Sequence, residues 1–179
     1  SYLTPKTKLS DIGICNGKRF VNTIGIGFDG AVLKDMKFVR WIGGHLGYLL
    51  VVIKHILTWQ PLVFSYSKDQ KVFDEKRLLF FISSAPTTGG GFIISPKAKV
   101  DDGFLNVVTA GPVSILHRLL LLPQVERGKH LNHPKVDYWT TKHIDISMKK
   151  PTYYQMDGEL RLDQIFEIRM IEKELSILI

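Results

Sequence analysis

Apolar residues recur at intervals of three and four over residues 31–59, which is the spacing of one face of an α-helix. Gly43-Gly44 interrupts this pattern and predicts a short first helix followed by a longer one, and Pro61 ends the helical region. Residues 114–130 show the same periodicity, and Gly128 stands where a C-terminal cap is expected. The pattern therefore predicts two separate helical segments.

Short runs of β-branched and aromatic residues fill most of the remaining chain and predict strands. Residues 11–23 are interpreted as a hairpin, because Asn16-Gly17 is a favoured pair for a two-residue type I′ turn. Further strands are predicted over PLVFSYS, KVFDEK, RLLFFISSA, FLNVVTA, KVDYWTTKHIDISMKK, PTYYQMDGEL and the C-terminal run QIFEIRMIEKELSILI. This pattern favours an antiparallel β-sandwich with two inserted α-helices.

Residues 1–10, SYLTPKTKLS, are polar and contain a proline, so they are expected to form a linker or incoming arm. Residues 11–179 are then one domain, which is long enough to bury a substantial core. The chain opens with serine and not methionine, which indicates a processed or excised piece of a longer protein.

Charge and composition limit the classes of partner that are expected for this protein. The formal net charge of +7 favours an anionic partner. The basic residues are spread along the chain and are not interleaved with stacking aromatics, which disfavours nucleic acid and favours an anionic membrane surface. A single cysteine, Cys15, excludes an internal disulfide, and neither a signal peptide nor a membrane-spanning run is visible. We therefore expect a cytoplasmic protein that is peripheral at the membrane. The oligomeric state stays open, with a homodimer among the options.

Residues 89–108, GGGFIISPKAKVDDGFLNVV, combine a triple glycine, an apolar run of β-type residues and two carboxylates before Gly103. One interpretation is a β-hairpin with a polar, solvated turn. The alternative is a site for a hard cation such as Mg²⁺ or Ca²⁺, because turn carbonyls and an Asp provide the oxygen ligands that these ions prefer.

Three motifs occur in an order that resembles a known family. Residues 89–103 fit the pattern G-G-G-x-x-I-x-P-x-A-x-x-D-D-G, residues 20–32 read FVNTIGIGFDGAV, and residues 156–160 read MDGEL. Together they resemble the second domain of the diacylglycerol kinase catalytic superfamily, which includes bacterial lipid kinases and sphingosine kinases. The resemblance covers nearly all of the chain.

The resemblance implies roles for the Asp-Gly-Glu motif. Glu159 is the proton acceptor in this comparison, and Asp157, Gly158 and Glu159 contact the nucleotide. A general base must lie within hydrogen-bond reach of the hydroxyl that it deprotonates, and a tight turn at a strand end holds a carboxylate rigidly. The alternative for Glu159 is a turn glutamate in solvent.

The resemblance also implies a structural Mg²⁺ at the second acidic loop. Asp102 would bind it with main-chain oxygens of Lys99 and Phe104, and Asp101 is a substitute for Asp102. Asp29 stands where sphingosine kinases contact the polar part of their substrate. Its alternative role is an N-terminal cap of the following helix.

One departure from the family limits the implied function. The superfamily binds nucleotide with an N-terminal domain that carries a G-G-D-G-T motif, and no G-G-D-G occurs here. The implied function is therefore the C-terminal domain of an ATP- and Mg²⁺-dependent lipid kinase in phospholipid biosynthesis, inactive without its missing nucleotide-binding domain. Diacylglycerol, a sphingoid base and a polyprenol all remain candidate lipids. The alternative is a non-catalytic lipid-binding or regulatory module with the same fold.

Overall fold

Strands dominate the structure. The computed structural model describes residues 7–39, 44–88 and 91–178. Its strands are β1 (Thr7–Cys15), β2 (Lys18–Phe20), β3 (Thr23–Ile26), β4 (Leu62–Lys68), β5 (Lys71–Arg77), β6 (Leu79–Ser83), β7 (Leu105–Ala110), β8 (Val136–Thr141), β9 (His143–Met156) and β10 (Glu159–Leu178). Its helices are α1 (Phe28–Val39), α2 (Gly44–Thr58), α3 (Ile115–Glu126) and a short 3-10 helix (His130–Asn132).

The strands form one antiparallel sheet with a branch. The main path runs β2-β1-β10-β9-β3-β6-β7-β8, and β4 joins it by pairing with both β9 and β5. The branch occurs because β9 pairs with β4 around Ile146 and with β3 around Gly25 at different points along its length. The β4–β5 hairpin thus folds back, and Tyr66 stacks on Trp139 of β8 at 5.8 Å. The predicted fold class, an antiparallel β-sandwich-like domain with inserted helices, is confirmed.

The main core lies inside this folded sheet. Alternate residues of β9 are buried between His143 and Met148, as the two-residue period of a strand requires. Phe64 stacks on Phe80 at 5.1 Å, and both rings are fully buried. Other fully buried members are Phe20, Ile24, Ile82, Leu105, Ile144 and Phe166.

The helices cover another face of the sheet. The first predicted helical region comprises α1 and α2, so the described residues contain three α-helices; residues 40–43 between α1 and α2 lie outside them. The second predicted region is α3, which Ser114 caps by accepting the His117 N–H at 3.4 Å. A small apolar cluster around Val52 joins the three helices to each other, and a second one around Phe92 joins helices to the sheet.

The sequence prediction of a hairpin in residues 89–108 is wrong. Residues 91–104 contain no strand, and Gly89 and Gly90 lie outside the described residues. The physical reason is that the backbone of this loop bonds to itself and to a neighbouring loop and forms no ladder with a strand, as in Ser95 N–H to the Pro86 carbonyl at 3.1 Å. At the start of the chain, β1 begins at Thr7, inside the segment expected to be an arm.

Candidate functional site

Glycines fix the geometry where β3 passes into α1. The Gly27 carbonyl accepts the Ala31 N–H at 2.9 Å, so Gly27 caps the helix, and its φ is +82°. A Cβ on Gly25 would lie 2.4 Å from Oδ2 of Asp29, and a Cβ on Gly30 would lie 2.3 Å from the Tyr153 backbone. Both positions therefore exclude larger residues, which lets α1 pack on β9 and lets the Asp29 carboxyl lie over β3.

Asp29 is the second residue of α1 and not its N-cap, because Gly27 takes that place. Burial raises the pKa of Asp29 to about 6, and a hydrogen bond with the Gln155 side chain opposes that shift. Tyr48 of α2 lies nearby, and burial together with the charge of Asp29 raises its pKa to about 12. Asp29 is thus a carboxyl group in a poorly solvated position at the start of a helix.

Asp157 holds the loop that leads into β3. Its Oδ1 accepts the N–H groups of Asn22 and Thr23, each at 2.9 Å, and its Oδ2 accepts that of Val21 at 2.6 Å. The Asp157 N–H in turn donates to the Thr23 carbonyl at 2.9 Å. Asp157 and Gly158 have φ of +49° and +83°, as the central residues of a type I′ hairpin turn do.

Gln155 connects the turn to Asp29. Its Oε1 accepts the Gly158 N–H and its Nε2 donates to Oγ1 of Thr23, both at 2.9 Å. The Thr23 hydroxyl also lies 3.1 Å from that of Thr88. This buried polar network gives the cleft a fixed set of donors and acceptors.

Two cavities meet beside this network. One is a cleft of about 450 Å³ with a mixed wall, here called the polar cleft because it brings together three predicted site residues: Asp29, Asp157 and Gly158; Leu33 and Met36 form part of its apolar side. The other is an apolar cavity that lies between the three α-helices and the sheet. Both are lined by Asp29, Val32, Tyr48 and Thr88. A molecule with a polar head and an apolar tail could therefore occupy both at once.

Glu159 follows the turn but does not line either cavity. Its side chain is 71% exposed, and its Oε2 accepts a bond from Arg161 at 2.5 Å. It has left the turn and entered β10, so its carboxylate is held by the strand and by one ion pair.

The residues predicted to bind Mg²⁺, namely Lys99, Asp102 and Phe104, lie on a different loop. Asp102 is exposed, and its Oδ1 accepts the Phe104 N–H at 3.1 Å. No group of three or more His, Cys, Asp or Glu side chains that could hold a metal occurs in the described ranges. A donor set of backbone oxygens and one carboxylate is of the kind that Mg²⁺ accepts, so the Mg²⁺ site at this loop stays a prediction.

Asp11 anchors that loop, a role that was not predicted from the sequence. It is buried in β1, and its two oxygens accept the N–H of Gly103 at 2.7 Å and that of Lys173 at 2.8 Å. The Asp11 N–H donates to the Val100 carbonyl at 2.7 Å. The one available signal was a charged residue at the beginning of an otherwise apolar strand, DIGIC.

Comparisons with known proteins agree with this architecture. The model of the family described as the YegS C-terminal NAD kinase beta sandwich-like domain matches residues 22–179. A diacylglycerol kinase of Staphylococcus aureus (strain bovine RF122 / ET3-1) is 26% identical over 154 residues, 83% of this chain and 48% of the relative. A diacylglycerol kinase of Staphylococcus saprophyticus is 25% identical over 154 residues, which are 83% of this chain and 49% of that relative.

A solved structure of a diacylglycerol kinase from Bacillus anthracis str. Sterne has the same fold. It superposes with a TM-score of 0.67 at 18% identity, covering 97% of this chain and 54% of that one. The chain spans about half the length of the curated relatives it matches. In the described part of the chain, no helix has the length and apolar character needed to cross a bilayer.

Proposed function

Because this chain belongs to the family of YegS C-terminal NAD kinase beta sandwich-like domains, we propose that it is the second domain of an ATP- and Mg²⁺-dependent lipid kinase. Its substrate in this proposal is the hydroxyl of a diacylglycerol-like lipid. The observation that carries the proposal is the shared wall of the polar cleft and the apolar cavity at Asp29. Relatives named diacylglycerol kinase support the same substrate class.

The lipid lies across the two cavities in this proposal. Its tails enter the apolar cavity, where Val52, Phe81 and Leu121 form part of the wall; the cavity volume of about 120 Å³ holds a few methylene groups of the tails. Its head group lies in the polar cleft, where the Asp29 carboxylate accepts a hydrogen bond from a glycerol hydroxyl. Burial of the tails contributes most of the binding, and the polar contact fixes which hydroxyl is presented.

Glu159 is the general base in this proposal. It takes the proton of the attacking hydroxyl while that oxygen bonds to the γ-phosphorus of ATP and the bond to the β-γ bridging oxygen breaks. Its exposed side chain leaves room for a second domain to bring the nucleotide to it. The 2.5 Å bond from Arg161 orients the carboxylate.

The Asp157-Gly158 turn contributes to the nucleotide site in a limited way. The carboxylate of Asp157 already accepts three backbone N–H groups, which leaves one lone pair on Oδ2 for a ribose or other nucleotide hydroxyl. Both N–H groups of the turn are occupied as well. The turn therefore positions Glu159 and offers the nucleotide a single free lone pair of the Asp157 carboxylate.

Mg²⁺ is assigned to the 99–104 loop in this proposal. The ligands are Oδ2 of Asp102 and the carbonyl oxygens of Lys99 and Phe104. When bound, the ion supplies positive charge that holds the acidic loop closed. Asp11 holds the same loop from the sheet side through Gly103.

An activity comparison tests the proposal. The 179-residue chain and the longer chain encoded by its gene are assayed for ATP-dependent phosphorylation of diacylglycerol, a sphingoid base and a polyprenol in mixed micelles. We expect activity in the longer chain only, because half of the relatives' length is absent from this one. Robust phosphorylation by the 179-residue chain alone overturns the domain assignment.

A non-catalytic lipid-binding module is the second candidate. The observation in its favour is that both carboxylates of the Asp-Gly-Glu motif already have partners within this chain. If this candidate is correct, the protein binds lipid but phosphorylates none of the three acceptors, whether or not its gene encodes a longer chain. The activity comparison therefore separates the two candidates.

A further inference from the structure

The outer face of α3 carries a stripe of exposed apolar side chains. Leu116 and Leu120 are 65% and 56% exposed, and Ile115 and Leu119 are 46% and 38% exposed. These four residues, here called the α3 stripe, occupy positions i, i+1, i+4 and i+5, which lie side by side on a helix. Exposed apolar groups that form a contiguous patch mark an interaction surface.

The opposite face of α3 is also apolar. Leu121 is buried, and Leu121, Leu122 and Val125 line the apolar cavity. A helix that is apolar on both sides is expected to be covered on both sides. Here the cavity side packs toward the sheet, while the stripe faces away from it.

The charges around the stripe suit an anionic surface. Residues 112–135 contain four basic residues, Arg118, Arg127, Lys129 and Lys135, and a single acid, Glu126. Arg118 is engaged by the carbonyls of Ile56 and Trp59 at 3.0 and 2.7 Å, and the other three are exposed. A segment that combines exposed apolar side chains with exposed Lys and Arg has the composition of a helix that lies in the interface of an anionic bilayer.

We propose that the α3 stripe inserts into the surface of an anionic lipid bilayer and places the apolar cavity next to the membrane. This inference rests on the proposed lipid kinase function, because the reason to choose a bilayer as the partner is a substrate that resides in one. A lipid that leaves the bilayer at α3 then has its tails on the cavity side of a single helix.

Vesicle binding tests the proposal directly. The 179-residue chain is co-sedimented with vesicles of phosphatidylcholine, with and without phosphatidylglycerol. The variant L116E/L120E is compared with V72E/I165E, which makes the same change at two residues of β5 and β10 that are 76% and 64% exposed. All four positions are exposed, so circular dichroism and melting temperature are expected to stay unchanged in both variants.

We expect the wild-type chain to bind anionic vesicles more strongly than neutral ones. L116E/L120E is expected to lose about a hundredfold in partition coefficient, because each of the two inserted leucines contributes about tenfold. V72E/I165E is expected to stay within about twofold of wild type, since its extra charge lies away from the bilayer. Equal losses in both variants, or no binding by the wild type, overturn the proposal.

A fluorescent label locates the contact. Cys15 is buried, and burial raises the pKa of its thiol to about 12, so it does not compete for a thiol-reactive dye. A polarity-sensitive dye on L120C is expected to shift to the blue when anionic vesicles are added, and the same dye on V72C is not. A shift at both positions or at neither contradicts the assignment of the α3 stripe.

Other occupants give distinguishable results. If light scattering shows a dimer that L116E/L120E dissociates, the stripe is an interface between two copies. If the longer chain loses the vesicle binding that the 179-residue chain has, the stripe is covered by the other domain. Either outcome overturns the membrane assignment. Kinase activity of the longer chain without vesicle binding contradicts the membrane assignment of the α3 stripe alone. Vesicle binding without kinase activity contradicts only the proposed lipid kinase function.

Discussion

Two turns in this protein share the dipeptide Asp-Gly, with glycine at φ +76° at Gly103 and +83° at Gly158, yet their carboxylates are used in opposite ways. Asp157 turns its side chain outward from its own hairpin and holds three N–H groups of another loop. Asp102 makes one local bond, and its turn is held from outside by Asp11. The Asp-Gly dipeptide determines the backbone conformation of each turn. The neighbouring element determines whether the Asp carboxylate is used in hydrogen bonds within the protein or stays available to a ligand.

The largest expected effect concerns Glu159, the exposed carboxylate that follows the Asp157-Gly158 turn and is paired with Arg161. Glu159→Gln in the complete kinase keeps the size of the side chain but cannot accept a proton. We expect kcat to fall by roughly 10²–10⁴-fold with little change in the KM for ATP, because a base acts mainly in the transition state. Steady-state kinetics measure this, with Glu167→Gln on the same strand as the control. Near-normal kcat in Glu159→Gln means that the turn is structural.

The next largest effect is expected for the stability of Asp11→Asn, because this substitution removes the side chain that anchors the Gly103 turn from β1. The amide places an N–H₂ group against one of two backbone N–H donors in a buried position. We expect a loss of about 2–4 kcal/mol in the free energy of unfolding. Urea denaturation measures it. Wild-type stability in this variant means that the loop is held by other contacts.

Asp29 shares the cleft with the Asp157 turn and provides a pH test. Its pKa is about 6 in the folded chain against an ordinary 3.8, so the folded state retains the proton longer than the unfolded state. The stability that this proton contributes is complete below pH 3.8 and is lost as the pH rises to about 6, by at most about 3 kcal/mol. Asp29→Asn removes the titration, so its stability relative to wild type is expected to rise across that window. A difference that is independent of pH contradicts the burial of this carboxyl.

Asp157→Asn sharpens the comparison between the two turns. The amide keeps one oxygen for two of the three N–H partners and loses the third. We expect about 1–2 kcal/mol of destabilisation because the position is exposed, together with a higher KM for ATP in the complete kinase. Thermal unfolding and kinetics measure the two effects. A change in KM without any change in stability would assign the carboxylate to the nucleotide alone.

The smallest effect on stability is expected for Asp102→Asn. Its carboxylate is exposed, so the free energy of unfolding should stay within about 0.5 kcal/mol of wild type. Binding of Mg²⁺, measured by isothermal titration calorimetry, should weaken because a charged ligand is lost. Unchanged Mg²⁺ titration would place the ion elsewhere, with Asp101 as the first alternative.

Local chemistry made much of the fold predictable. The Asn16-Gly17 turn has φ of +48° and +75°, as its dipeptide predicted, and the three-four periodicity located the helical segments. The strand prediction for the residues after Gly91 failed. These residues have strand propensity, but Phe92 and Ile94 are buried in a loop that pairs with no strand. Strand propensity depends on the type of side chain and does not include the surface against which that side chain packs.

The candidate site was predictable only in part. Asp29, Asp157 and Gly158 do line one cleft, and the glycines of GIGFDG have packing reasons that the sequence only hinted at. The anchoring role of Asp11 could not be read from the chain, because its partners Gly103 and Lys173 are 92 and 162 residues away. Family membership was recognised from short motifs, whereas these supporting contacts depend on the completed sheet.

The pairing of β1 with β10 joins Thr7 to Leu178, so the first and last described strands are neighbours in the sheet. Contacts of such sequence separation give a high contact order, which slows folding because long loops must close first. During synthesis on the ribosome, β1, β3 and β4 emerge long before the β9–β10 hairpin that they require. This domain therefore completes its sheet only once β10 has emerged, and its early strands stay without their partners in β9 and β10 until then.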